Sequence, residues 1–201
     1  MPTTNDAMKV SAGKPKVGGA IFLAPTSTSL PTTATETLNA AFAGVGYISE
    51  DGVTNTLNKD ISKIKAWGGD VVLVLNNGLE DQFKFKMIQS MDANALKAVF
   101  GDGNVTVTAA IGGTPAKIDI KVNNNEQDAK AWVIETILNG GSLKRIVIPN
   151  AKVEAIGDIV YRDNEAIGFE ITLAASADSS GNSHYEYISG PTGATGATGT
   201  T

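Results

Sequence analysis

His184 is the residue of this sequence whose chemistry is best suited to catalysis, because an imidazole exchanges a proton near neutral pH. It lies between Ser183 and Tyr185, in a stretch of polar and aromatic residues. A catalytic histidine needs a nucleophile and an orienting partner, and no Gly-x-Ser-x-Gly motif in the chain supplies the nucleophile. We therefore predict that His184 is a surface or edge-strand residue.

Other kinds of site are equally poorly supported. The chain has no cysteine and one histidine, which excludes a disulfide framework, a thiolate zinc site and any site with two imidazoles. Glu50, Asp51 and Asp158 lie near turn-like sequences without the alternating ligands of a calcium loop. Two carboxylates that converge in space, as glycoside cleavage requires, stay an open alternative. We predict no catalytic, metal or cofactor site, and no enzyme.

Glycine-rich stretches are predicted to be turns. Residues 18–19, 101–104 and 112–114 contain paired or closely spaced glycines, but none has the spacing of a P-loop or of Gly-x-Gly-x-x-Gly. The two tryptophans differ in context: Trp132 lies within an apolar run and is predicted to be core, whereas Trp67 precedes Gly68-Gly69. For Trp67, core packing and an intersubunit contact are both open.

The charge of the chain bears on its partners. With 16 Lys+Arg against 21 Asp+Glu, the formal net charge is −5, and Arg145 and Arg162 are the two arginines. Tight binding of nucleic acid requires clustered cations that neutralise phosphates, so this balance argues against a nucleic-acid-binding protein. The N-terminus lacks a signal-peptide pattern and no apolar run reaches the roughly 20 residues of a membrane helix. We expect a soluble protein made in a cytoplasm, with no membrane partner.

The hydrophobic pattern predicts a mainly β protein. Residues 82–88, 105–108, 117–122 and 169–173 alternate apolar and polar side chains, which is typical of strands with one buried face. Continuous apolar runs predict strands that are covered on both faces, and they occupy residues 17–24, 71–75, 131–138 and 145–148. Turn-type sequences separate these segments, among them residues 68–69, 76–78, 140–141 and 163–164.

Two short helices are predicted, at residues 37–43 and 92–99. Neither is long enough to connect parallel strands. The expected fold is therefore an antiparallel β-sandwich or half-barrel with one or two short flanking helices. We predict one domain at residues 14–189, preceded by a flexible arm at 1–13 and followed by a flexible tail at 190–201, where glycine recurs every third residue. Residues 50–60 are predicted to form a long polar loop with a functional role.

The order of several stretches resembles the major tail proteins, which are the tail tube subunits of long-tailed, non-contractile bacteriophages. The resemblance covers about residues 14–190, and each stretch alone has low specificity. The stretches are KVGGAIFLAP (16–25), GYISEDGV (46–53), KIKAWGGD (63–70), LKAVFG (96–101), AWVIE (131–135), LKRIVIP (143–149), GDIVYRDNEAIG (157–168) and HYEY (184–187).

This resemblance implies a structural virion protein that forms six-membered rings, which stack into a hollow tube through which phage DNA passes. It further implies that a long loop reaches the neighbouring ring and that amphipathic strands line the bore. On this sequence the loop is residues 50–60 with its flank to residue 70. The candidate contacts between subunits or rings are Glu50, Asp51, Val53, Asn55, Leu57, Lys59, Asp60 and Trp67. The implied partners are identical subunits, the tape measure protein, other tail proteins and DNA in transit.

Three other interpretations stay open at this stage. One is the tube of a contractile tail or of a related secretion apparatus. Another is a carbohydrate-binding or adhesin-like β-sandwich with Trp67, Tyr161, Tyr185 and Tyr187 as sugar platforms, and the third is an unrecognised hydrolase. For a tube, an acidic wall would repel DNA weakly and let it slide, since a basic wall would retain it by counterion release.

Overall fold

A computed structural model of the protein describes residues 9–16 and 18–190. Its strands, in chain order, are β1 (Lys14–Pro15), β2 (Ile21–Pro25), β3 (Ala43–Gly44), β4 (Ile48–Lys65), β5 (Val71–Met87), β6 (Val105–Thr108), β7 (Lys117–Ile120), β8 (Lys130–Ile137), β9 (Leu143–Ile156), β10 (Phe169–Ala175) and β11 (Tyr185–Ser189). One α-helix, α1 (Ala93–Phe100), follows β5, and short 3₁₀ turns occupy Asp102–Asn104 and Asn139–Gly141. The predicted antiparallel, mainly β fold is confirmed.

Nine of the strands form one sheet. Its order is β3-β2-β8-β9-β10-β5-β4, with β1 also paired to β8 and β11 also paired to β9. One edge of β9 pairs with β8, and its other edge pairs with β11 along Leu143–Val147 and with β10 along Ala151–Ile156. Strands β6 and β7 form a separate two-stranded ribbon.

Strand β8 is buried on both faces, which explains its apolar sequence. Trp132 and Ile134 join the larger core with α1, β5 and β10, whereas Ala131 and Val133 join a second cluster on the opposite face. That second cluster contains Phe42 and is flanked by Leu30, Leu38, Tyr185 and Tyr187. Because successive side chains of a strand point to opposite faces, β8 lies between two packed layers. The predicted strand at residues 131–138 and the predicted core position of Trp132 are confirmed.

Helix α1 confirms the helix predicted at residues 92–99. The Asp92 carboxylate accepts hydrogen bonds from the backbone N–H groups of Asn94 and Ala95, at 2.8 and 3.0 Å. Such a cap contributes about 1 kcal/mol. The helix ends at Gly101, whose φ of 91° lies in a region that favours glycine.

The helix predicted at residues 37–43 is wrong, since this segment is irregular until β3 begins. Side chains compete with helical hydrogen bonds here. The Asn39 Oδ1 atom accepts from the N–H of Ala41, and the Glu36 carboxylate accepts from the N–H of Thr32. Leu38 and Phe42 still pack on the second core cluster.

Two predictions in the β4–β5 region are also wrong. Residues 50–60 are not a loop but part of β4, and the turn predicted at residues 76–78 lies inside β5. The two strands supply each other's backbone hydrogen bonds, with irregular register at both places, so polar side chains are accommodated on an exposed ribbon. The strand predicted at residues 71–75 is present, but its side chains are exposed rather than covered.

Residues 1–8 of the predicted N-terminal arm, residue 17 of the first predicted strand and residues 191–201 of the predicted glycine-rich tail lie outside the described residues. In the described part of the chain, no helix combines the length and apolar character that crossing a membrane requires.

Candidate assembly site

The β4–β5 hairpin extends well past the rest of the sheet. The pairing of β5 with β10 ends at Asp81, opposite Ala175, whereas its pairing with β4 continues to Val71, opposite Lys65. At the rise of an antiparallel strand, these ten further residues span about 33 Å. We call residues 57–80 the arm. Its tip is closed by hydrogen bonds from Ala66 N–H to Asp70 O (2.8 Å) and from Gly69 N–H to Ala66 O (3.0 Å).

The arm is unusually apolar for an exposed ribbon. Half of the large apolar side chains that are exposed in the described residues lie on it: Leu57, Ile61, Ile64, Trp67, Val71, Val72, Leu73, Val74, Leu75 and Leu79. Exposed apolar side chains concentrated in this way in a folded domain are typical of an interaction site. The run at residues 71–75 therefore has the sequence of a strand that is covered on both faces, but none of the described residues covers it.

The two faces of the arm carry opposite charges. Alternation along β4 places Lys59, Lys63 and Lys65 on the face that continues the buried face of the sheet, together with Leu57 and Ile61. We call this the basic face. The other face carries Asp60, which pairs with Gly78, and Glu80, which pairs with Asn58. Directly opposed residues share a face, so this second face has carboxylates and no lysine.

Asp81 fixes the base of the arm. The residue is 1% exposed, and its carboxylate accepts hydrogen bonds from Asn55 Nδ2 at 2.7 Å and from Ser183 Oγ at 2.6 Å. The ring of His184 contributes a third contact, with Nδ1 at 2.5 Å, and packs edge-on against Phe83. A buried carboxylate requires such partners because its desolvation is costly. The contacts join the segment before β11 to both strands of the arm.

The prediction for His184 was a surface or edge-strand position. The residue directly precedes β11, which pairs with β9 alone among the described strands, and its side chain is 14% exposed, so the surface alternative is wrong. Ser183, His184 and Asp81 are the residue types of a hydrolytic triad, but their arrangement is different. The Ser183 hydroxyl donates to Asp81 rather than to the imidazole, so no base activates it. Within residues 9–16 and 18–190, no three His, Asp or Glu side chains are grouped to hold a metal ion. The geometry is that of a structural anchor.

Comparison with known protein families identifies the family of the chain that carries this arm. A family model described as phage tail tube protein matches residues 2–198, almost the whole chain. The chain belongs to the phage tail tube protein family. A search of curated proteins found no match. As a tail tube protein, the chain is a structural component of a phage tail and not an enzyme, which agrees with the sequence analysis.

Seven of the eight candidate contact residues of this tail tube protein lie along β4, and the eighth, Trp67, lies in the turn that follows it. Leu57, Lys59 and Asp60 lie on the arm, and Trp67 is fully exposed at its tip, so core packing of Trp67 is excluded. The other four candidates precede the arm: Glu50, Asp51, Val53 and Asn55. Of these, Asn55 donates a hydrogen bond to Asp81, and Val53 is partly buried and packs against the core. The structure therefore brings half of the set onto the arm.

Glu50 and Asp51 lie at the opposite end of the sheet. They follow Ile48, which pairs with Met87, the last residue of β5. The β9–β10 connection, residues 157–168, lies at this same end, because Phe169 also pairs with Met87. Its exposed carboxylates are Asp158, Asp163 and Glu165. We call the group formed by Glu50, Asp51, Asp158, Asp163 and Glu165 the acidic end.

Sequence reasoning missed a second buried charge cluster, which holds the N-terminal segment to the sheet of the tail tube protein. Arg145 is 1% exposed, and its Nε donates to Glu135 at 3.0 Å, while a second guanidinium nitrogen pairs with the same oxygen. A third nitrogen donates to Thr33 O at 2.7 Å, and Lys16 Nζ lies 2.8 Å from the other Glu135 oxygen. The only sequence signal was a charged pair inside two apolar runs.

Proposed function

We propose that this tail tube protein forms six-membered rings that stack into the hollow tube of a long, non-contractile tail, and that phage DNA passes through this tube into the host. The observation that carries the proposal is the arm, whose apolar side chains are exposed on both faces of a two-stranded ribbon. Such a ribbon is only marginally stable alone in water. Contact with other copies would bury it.

Unpaired strand edges support the same proposal. Strand β4 ends the sheet path, so within the described residues its outer edge is unpaired along its length, and the arm half of β5 has a free edge as well. Exposed edges template pairing with another chain, and a closed ring uses this tendency without open-ended aggregation. The arm supplies contacts from ring to ring, with Leu57, Lys59, Asp60 and Trp67 among them.

We propose that the polar outer face of β4, β5 and β10 lines the bore. Thr54, Lys84 and Thr172 lie side by side across these three strands. The lysines of this face are paired with carboxylates, Lys84 with Glu170 at 2.9 Å and Lys86 with Glu165 at 3.6 Å. Each lysine charge is balanced by its carboxylate partner and therefore attracts DNA phosphates weakly, so DNA would slide past this face. This refines the expectation of a repelling acidic wall into one of a charge-balanced wall.

The remaining partners follow from this proposal. The tape measure protein would occupy the bore before DNA, and other tail proteins would bind the two ends of the tube. Synthesis would take place in the cytoplasm of the bacterial host.

The carbohydrate-binding alternative is weakened, because two of the four aromatic residues that it requires as sugar platforms are not available. Tyr185 and Tyr187 stack on each other and pack against the second core cluster.

Electron microscopy of the concentrated protein tests the proposal. We expect hollow filaments whose averaged cross-section has six-fold symmetry. A protein that stays monomeric at every concentration and ionic strength would contradict it, and another ring symmetry would contradict the hexamer. Intact tails with a sheath around the tube would favour the contractile alternative.

A deletion isolates the role of the arm. Residues 60–78 are replaced by Asn-Gly, which joins the directly opposed Lys59 and Leu79 by a two-residue hairpin turn. The matched control shortens the β6–β7 ribbon in the same way, between the opposed Thr108 and Lys117. We expect both variants to fold, and only the arm deletion to abolish filaments. Filaments from the arm deletion would show that the arm does not connect rings.

A further inference from the structure

We infer that the basic face of the arm docks on the acidic end of a second copy of this chain in the next ring. The inference rests on the proposed stacking, because it names the surface that receives the arm. Both surfaces belong to every copy, so the contact is head-to-tail and repeats without limit along an axis.

The lysines of the basic face are available for such a contact. Lys59, Lys63 and Lys65 form no ion pair within the described residues, although most other cations of the described residues do. They also share their face with Leu57 and Ile61. Lysines interleaved with exposed apolar side chains fit a protein surface of opposite charge better than a DNA backbone, since apolar groups gain nothing from phosphates.

The acidic end has the complementary composition. Asp158 and Asp163 form no ion pair among the described residues, and Glu50 and Asp51 are exposed beside β5. Arg162 is the one cation of the 157–168 connection. Exposed apolar side chains lie among these acids as well, namely Tyr161 and Ile156. An apolar centre within a charged surround is the usual composition of a specific interface.

The distances along β5 define the translation that this contact requires. The acidic end lies beside Met87, whereas Leu79, opposite Lys59, lies eight residues along the strand and Val71, opposite Lys65, lies sixteen residues along it. These separations are about 26 Å and about 53 Å at the strand rise. A second copy translated along the strand by a distance between these values has its acidic end beside the three lysines.

Charge reversal tests the contact in the full chain. One variant carries Lys63→Glu and Lys65→Glu, a second carries Asp158→Lys and Asp163→Lys, and a third carries all four changes. All four positions are exposed, so circular dichroism and thermal melts should match the wild type. The controls are Lys14→Glu with Lys121→Glu, which reverse two exposed lysines elsewhere, and Asp128→Lys.

The measured quantity is the critical concentration for filament formation, by pelleting and electron microscopy. We expect each double variant to raise it at least about tenfold, and the fourfold variant to recover most of this loss because the complementary charges are exchanged. The controls should stay within about twofold of wild type. Unchanged assembly of either double variant would overturn the inference, and so would a fourfold variant that assembles no better than the double variants.

Two further outcomes are separable. If the arm variant loses binding to double-stranded DNA in a filter assay while its filaments form normally, the lysines serve DNA and the inference is wrong. If wild-type protein forms no filaments, the proposed function fails by itself. A strand that tilts away from the tube axis shortens the projected distance, so a rise per ring above about 53 Å would overturn the inference even where filaments form.

Discussion

His184 Nδ1 lies 2.5 Å from Asp81 Oδ2, and this contact joins the segment before β11 to the base of the arm. Asn55 and Ser183 donate to the same carboxylate, so three segments far apart in the sequence meet at one buried residue. The arm has no packed core of its own. Its orientation relative to the body therefore depends on the contacts where it leaves the sheet.

Asp81→Ala should weaken the attachment of the arm to the sheet. Removal of the carboxylate takes away the buried acceptor of the Asn55 and Ser183 side chains, and hydrogen bonds to a charged group contribute about 1.5–3 kcal/mol each. We expect a loss of unfolding free energy of about 2–4 kcal/mol by urea denaturation, with faster hydrogen exchange in residues 53–57 and 183–187. Asp163→Ala, at an exposed acid, is the control and should change stability by less than about 0.5 kcal/mol. An equal effect of both variants would contradict the anchor.

Glu135→Gln should be more costly than any change on the arm. The substitution leaves the buried Arg145 guanidinium without a counter-charge, and breaking a buried ion pair costs about 3–5 kcal/mol. Lys16→Met removes the third member, whose side chain is 39% exposed, and should cost under about 1 kcal/mol. Thermal unfolding of both variants measures the difference. Equal losses of stability in the two variants would show that Glu135 is not needed to balance the buried charge of Arg145.

The body of the fold was predictable because its apolar side chains are buried by other residues of the same chain. The apolar run of β8 and the alternation of Phe83 and Phe85 in β5 both have the burial that their patterns predict. The capped helix α1 was predictable for a local reason, since Asp92 and Gly101 mark its two ends. The irregular segment at 37–43 was not, because its polar side chains bond the backbone in place of helical partners.

The arm was not predictable as an arm, because its apolar sequence predicts a cover that the described residues do not supply. The run at residues 71–75 predicts cover on both faces, and the polar residues 50–60 predict a loop, yet the two segments belong to the same ribbon. Asp81 has no local signal either, and the only local signal of Arg145 is its charge beside an apolar run. Their partners, Ser183 and Thr33, are about 100 residues away in the sequence, so only the folded structure identifies them.

Asp178 should give a stability contribution that depends on pH. The Tyr185 hydroxyl, together with the backbone N–H of Asn182, holds the pKa of this carboxyl below its usual value of 3.8. A lowered folded pKa contributes stability that is present above pH 3.8 and is lost as the pH falls through the folded value. The stability difference between wild type and Asp178→Asn should therefore be constant above about pH 5 and shrink below pH 3.8.

The same carboxyl can be followed directly. Tyr185→Phe removes the hydroxyl donor while keeping the ring, so the pKa of Asp178, measured by NMR titration, should rise towards its usual value. Tyr187→Phe removes a neighbouring hydroxyl that has no contact with Asp178 and should leave that pKa unchanged. An unchanged pKa in Tyr185→Phe would mean that the backbone donors alone lower it.

Glu170→Gln should make the tube adhere to DNA. Lys84 Nζ lies 2.9 Å from Glu170 Oε1, and neutralising this carboxylate frees one lysine per subunit on the proposed bore face. Six such lysines per ring would bind phosphates by counterion release, with an affinity that falls steeply as salt increases. Assembled tubes of the variant should retain short double-stranded DNA at low salt. Glu186→Gln frees Lys144 on another strand in the same way and is the control, since it should retain none.

Trp67 should report assembly by its fluorescence. The side chain is fully exposed at the tip of the arm, whereas Trp132, the other tryptophan, is buried in the core, so the two contribute separable spectra. Trp67→Phe leaves Trp132 alone and should have unchanged stability, within about 0.5 kcal/mol, because an exposed tip residue makes few contacts in the monomer. Subtraction of its spectrum from that of wild type isolates Trp67. If the tip inserts into a neighbouring ring, this difference spectrum shifts to shorter wavelength during filament growth, and its emission becomes protected from iodide. A tip that stays in solvent keeps a red, quenchable emission in the finished filament, and that result would place the ring-to-ring contact on the flanks of the arm.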